Sequence, residues 1–231
     1  MTQLDKILIG AAVSSMIVMI VAYMVNYTVY YNTQMVLSLL LSIVLYLKRD
    51  LLKEGVALYL STTLCWYQMY WGVRGVLVGV NGDTPADWII AMLPFTAACF
   101  WLLSYLYEFN WSKIKIMSMG TACIVTTALI SHLFRTEVIN ITIFLLLLPC
   151  VIAMMKKISK GIGAKCVSIF LIGLTWYQGY FAMQSIFRWV LNTEFTYGYQ
   201  YFTTGLLPFN FGLFVILYYI LTHRNGDRGF N

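Results

Sequence analysis

Apolar residues run along this chain in long blocks, and the polar and charged positions collect in the short gaps between them. The blocks show no period of two, and their helical period is faint because both faces of each block are apolar. An α-helix crosses a hydrocarbon core of about 30 Å with about 20 residues. The pattern therefore predicts spans at roughly 7–25, 31–47, 56–80, 87–107, 114–134, 138–155, 164–190 and 202–222. The second and sixth are short, and the seventh is long enough to tilt or project.

The gaps differ in charge. Lys6, then Lys48, Arg49 and Lys53, then Lys113 and Lys115, then Lys156, Lys157, Lys160 and Lys165, and finally Arg224 and Arg228 occupy the N-terminus, every second gap and the C-terminus. The opposite gaps hold Arg135 alone, while Arg74 and Arg188 fall inside spans near that side. Basic loops stay in the cytoplasm. The expectation is a multi-pass protein of the cytoplasmic (inner) membrane with both termini cytoplasmic and an even number of spans. Its basic collar would meet anionic lipid headgroups.

Composition strengthens this picture. Of 231 residues 61% are hydrophobic and 10% charged, against roughly 25% charged in soluble domains. The net charge of +6 acts as a topology signal, because no nucleic-acid-binding motif accompanies it. Cys65, Cys99, Cys123, Cys150 and Cys166 lie in or beside apolar runs without a CxxC, so they read as small apolar side chains. The opening apolar run, which ends at Val25, lacks a cleavage box and is too long for a signal peptide; it reads as the first span.

A stretch of the third span returns in the seventh. Leu64-Cys65-Trp66-Tyr67-Gln68-Met69-Tyr70-Trp71 is matched by Leu174-Thr175-Trp176-Tyr177-Gln178-Gly179-Tyr180-Phe181, and Leu93-Pro94-Phe95 is matched by Leu207-Pro208-Phe209. The second match has a slightly larger offset, so the second copy carries a short insertion in or just before its outer loop. The predicted fold is thus an all-α polytopic membrane protein of about eight transmembrane helices in two parallel four-helix repeats, 1–110 and 111–231. An even number of spans per repeat gives both halves the same orientation, unlike an inverted repeat.

The matched stretches carry the candidate chemistry. Trp66, Tyr70 and Arg74 recur at every fourth position and share one helix face, as do Trp176, Tyr180, Gln184 and Arg188. By spacing, Gln184 rather than Arg188 matches Arg74. The arginines serve as interfacial anchors or as an anion site in an outward-open cavity, with Asp83, Asp87, Glu137 and Glu194 as carboxylates on the same side. Gln68 and Gln178 lie between stripe positions and must hydrogen-bond to a neighbouring helix or to a ligand. Tyr67 and Tyr177 are simplest as packing residues. Pro94 and Pro208 would kink their helices at matching places.

No catalytic motif or metal-ligand spacing is present, so no catalytic residue, metal or cofactor is expected. The leading functional expectation is a transporter or pore-forming subunit for a small anionic or amphipathic substrate. Its binding residues would be Trp66, Gln68, Tyr70, Arg74, Trp176, Gln178, Tyr180, Gln184 and Arg188. The alternative is a non-catalytic membrane subunit, an assembly, immunity or defence factor, with another membrane protein or a second copy as its companion. A lipid-modifying enzyme is a third reading.

Overall fold

The structure, a computed structural model, describes residues 1–25, 84–134, 138–157, 161–191 and 201–222, together with single positions between 36 and 74. The described chain is all-helical. Helix α1 spans Gln3–Val25, α2 Pro85–Leu106, α3 Lys113–Phe134, α4 Val138–Lys157 and α5 Ile162–Leu191; a π-helical segment, Tyr201–Leu206, leads into α6, Leu207–Thr222. The described positions from Val36 to Leu47 and from Thr63 to Arg74 are also helical.

Among the described residues, five helices are long and apolar enough to cross a membrane: Gln3–Val25, Ala86–Leu106, Lys113–Leu133, Ile162–Leu191 and Thr204–Thr222. Of the eight expected spans, these are the first, fourth, fifth, seventh and eighth. The sixth expected span falls on α4, Val138–Lys157, whose stretch Val138–Ala153 is a shorter apolar helix. The second and third, at 31–47 and 56–80, lie largely outside the described residues. Helix α5 has 30 residues, about 45 Å of helix against a core of about 30 Å.

Local chemistry explains where the helices begin and end. In α1, the Thr2 amide donates to Asp5 Oδ2 at 2.7 Å and the Asp5 amide to Thr2 Oγ1 at 3.2 Å, which satisfies two first-turn donors. Thr84 and Asp87 form the same reciprocal box at the start of α2, with Pro85 in the first turn. Helix α2 stops at a Schellman-type turn. The Phe109 amide donates to the Ser104 carbonyl, and Glu108 takes a left-handed φ of 58°.

Packing is pairwise and partly reciprocal. Helix α1 lies against α6 and α3 against α2, while α5 contacts both α4 and α6 and α4 contacts α2 and α3. In α1, Ile7, Ala11, Ser15 and Met19 form the buried stripe, but Ile9, Val13, Met16, Ile17 and Ile20 are exposed. An outer face as apolar as the buried one suits lipid, not water. Two crossings are close enough to demand glycine. A Cβ on Gly173 would fall on the Pro208 carbonyl oxygen, and one on Gly120 would come within 2.8 Å of the Ala97 Cα. Hydroxyls bridge helices as well: Thr96, fully buried, donates to the Gly120 carbonyl at 3.2 Å, and Thr127 meets Thr142 at 3.3 Å.

Candidate functional site

Proline has no amide hydrogen, so the carbonyl one helical turn before it loses its partner. For Pro94 that carbonyl belongs to Ile90, and for Pro208 to Thr204. The indole Nε1 of Trp66 donates to the Ile90 oxygen at 2.8 Å, and that of Trp176 donates to the Thr204 oxygen at 2.6 Å. Each recurring tryptophan thus supplies the donor that each recurring proline removes. In hydrocarbon no water can make up the shortfall. Both indoles remain about half exposed, Trp66 at 45% and Trp176 at 52%, so they lie on the outer flank of the helix pairs they join.

The rest of the first stripe meets on α2. Tyr70 donates to Asp87 Oδ1 at 2.6 Å, and Arg74 Nε lies 3.1 Å from the same oxygen. Thr84 supplies Asp87 Oδ2 with its amide at 2.8 Å and its hydroxyl at 2.7 Å. The carboxylate sits in the first turn of α2, where the helix dipole favours negative charge. The Arg74 and Asp87 side chains are 9% and 19% exposed. Of the four carboxylates expected on that side, Asp87 makes this pair; Asp83, Glu137 and Glu194 lie outside the described residues.

The second stripe is arranged differently. Tyr180 packs edge-on to Phe181, and a Cβ added to Gly205 would meet the Tyr180 ring at 2.7 Å. Gln184 is half-buried, and Arg188 is exposed in the last turn of α5. Gln68 lies outside the described residues. Pro94 sits inside a continuous α-helix, whereas Pro208 follows directly on the π-helical segment. A π segment is one of the ways a helix accommodates disrupted pairing.

Gln178 is the predicted residue that the fold places deepest, at 3% exposed. It lines a cavity of about 10 Å³ with Tyr67, Met92, Phe95, Leu174, Tyr177 and Phe209. The rings interlock: Tyr177 lies 5.3 Å from Phe209 and 4.9 Å from Phe181, centroid to centroid. The lining comes from both halves of the chain. It contains Tyr67 with Tyr177 and Phe95 with Phe209, the residues beside the matched tryptophans and prolines. Trp66, Tyr70, Arg74, Trp176 and Tyr180 are not among the lining residues.

Sequence reasoning passed over two further groups. Phe95 and Phe209 entered only as neighbours of prolines. Asn210 was missed altogether, although it is fully buried with its Nδ2 3.3 Å from Met19 Sδ; an asparagine amid apolar residues just after Pro208 was the available signal. Among the described residues, no three His, Cys, Asp or Glu side chains converge as metal ligands, and Cys99, Cys123, Cys150 and Cys166 are free thiols. Comparison of the chain with protein-family models, curated proteins and solved structures finds no match.

Proposed function

We propose that the chain is a transporter of the cytoplasmic membrane for a small amphipathic solute, built from two like-oriented four-helix repeats, 1–110 and 111–231, that hold the solute between them. The observation that carries the reading is the cavity lined by Tyr67 with Tyr177 and by Phe95 with Phe209. Those pairs stand in the register of the two matched sequence motifs. A shared cavity at a repeat interface is where transporters of several folds bind substrate.

Further support comes from the packing. Gly10 and Gly120 stand in the same register as the tryptophan motifs; Gly10 faces Tyr218 of α6, and Gly120 faces Ala97 of α2. The first helix of each proposed repeat lies against the last helix of the other, the pattern expected of a two-fold axis along the membrane normal. The basic connectors favour cytoplasmic termini and contact with anionic lipid. Arg74 is held by Asp87, to which Tyr70 also donates, and this favours the amphipathic part of the expected substrate range over the anionic part. Movement of one repeat against the other would open the cavity to each side in turn.

Solute flux into proteoliposomes tests the proposal. Tyr67→Ala and Tyr177→Ala should each lower the rate by about tenfold, the effect of losing about 1.4 kcal/mol of binding, with expression and monodispersity retained. Unchanged rates in both variants would overturn the site. A stoichiometric membrane partner in mild detergent, with no flux for a panel of amines, alcohols and organic anions, would replace transport with the assembly-subunit reading.

A further inference from the structure

The amide of Gln178 has an unspent acceptor. Its Oε1 is fully enclosed and has no hydrogen-bond partner among the described residues. A buried polar atom in this condition destabilises the fold, and Gln178 lines the cavity described above; a ligand with an N–H or O–H would satisfy the atom. Three features of the cavity narrow the chemistry.

Size comes first: about 10 Å³ admits one molecule of the dimensions of water or ammonium. Partners come second. Met92, Phe95, Leu174 and Phe209 carry no side-chain nitrogen or oxygen, which leaves Gln178 and the two tyrosines as the polar lining. Charge comes third. Aromatic faces carry negative quadrupole potential and attract cations, and four of the lining residues, Tyr67, Phe95, Tyr177 and Phe209, are aromatic. No Lys or Arg lines the cavity among the described residues.

We propose that this cavity is a binding site for a small ammonium group, which donates a hydrogen bond to Gln178 Oε1 and rests its charge among the rings of Tyr67, Tyr177, Phe95 and Phe209. The inference rests on the transport reading for its purpose, but binding is measurable without transport.

The test is thermal unfolding of the purified full chain in mild detergent, titrated with ammonium or methylammonium chloride against sodium chloride of equal ionic strength. The expected result is a saturable rise in Tm of about 2 °C or more with the two ammonium salts, as mass action demands of a ligand that binds the folded state. Gln178→Leu and Tyr67→Leu, checked for monodispersity, should each weaken the midpoint by about tenfold, and Gln178→Met guards against a simple packing defect by leaving the volume filled. Tetramethylammonium, too large for the cavity, should not act. Equal shifts with sodium, or shifts untouched in all three variants, would overturn the proposal. So would a high-resolution structure in ammonium that shows only water at Gln178. Ammonium binding without flux of any amine keeps this site and removes the transport reading; flux of another solute with no ammonium effect removes this inference alone.

Discussion

The helix pair around Trp66 and Pro94 and the pair around Trp176 and Pro208 perform one task with different surroundings. In both, an indole N–H serves the carbonyl that proline leaves without an amide. Away from that bond they part. The first corner holds Arg74 on Asp87. In the register of the two motifs, the second corner has Gln184 where the first has Arg74, and Tyr201 where it has Asp87. The charge is present in both members or in neither. Low-dielectric surroundings explain this, because one charge of a buried pair left alone costs far more than replacing both. The entry to the helix differs too: α2 opens with a capping box, whereas α6 is entered through the π-helical segment Tyr201–Leu206. The comparison separates what the motif requires, the indole-to-carbonyl bond, from what each corner adds around it.

Several experiments sharpen or break that comparison. The largest effect is expected from Gly173→Leu, because the new side chain would strike the backbone of Pro208 and part α5 from α6. Overpacking of this kind costs about 1–3 kcal/mol or more, and against backbone the upper end applies. The matching position in the other half already carries a side chain, Thr63, which is buried at 4%. Thr63→Val should therefore be far milder, and equal losses of Tm in the two variants would break the analogy of the corners.

Next in size is Arg74→Gln. It should cost about 1–3 kcal/mol by stripping a largely buried carboxylate of a charged partner. Adding Asp87→Tyr, which reproduces the second corner, should recover part of that loss. A double variant less stable than the single would show that the two corners are not interchangeable.

Trp66→Phe and Trp176→Phe should each cost about 0.6–2 kcal/mol, the range for a hydrogen bond between helices in a membrane. The loss should shrink when Pro94→Ala or Pro208→Ala restores the missing amide. Additive effects in this double-mutant cycle would refute the compensation. Thr84→Ala removes the side-chain half of a capping box that belongs to the first corner. It should lower stability by about 0.5–2 kcal/mol, toward the lower end, since Arg74 and Tyr70 still hold Asp87. Thermal or denaturant unfolding in detergent reads all four.

The helical, membrane-spanning character was legible from runs of apolar residues, because a chain in hydrocarbon must satisfy its amides within each segment. Trp66, Trp176, Pro94 and Pro208 were legible as matched residues. Their link was not: Trp66 is far in sequence from Ile90, as Trp176 is from Thr204, and each indole meets its carbonyl only when two helices pack. The sequence points to the stripes Trp66–Tyr70–Arg74 and Trp176–Tyr180–Gln184–Arg188 with Gln68 and Gln178 between their positions; of the described members Gln178 alone borders the cavity, joined by Tyr67 and Tyr177, which read as packing residues. A single step along a helix turns the side chain by about 100°, and nothing in an evenly apolar helix says which turn faces inward. The same ambiguity hid Asn210.

By itself, the order of residues determined that this chain is helical, that its long apolar helices suit a bilayer, and that a tryptophan–proline pattern occurs twice. Those properties follow from segment length, apolarity and residue identity, which each stretch carries alone. Only the tertiary structure decided which face of each helix is buried, that Arg74 closes on Asp87, and that Gln178 is sealed among aromatic rings. Lipid and protein interior are both apolar, so a membrane helix carries little mark of its orientation, and contacts between helices settle what periodicity settles in water.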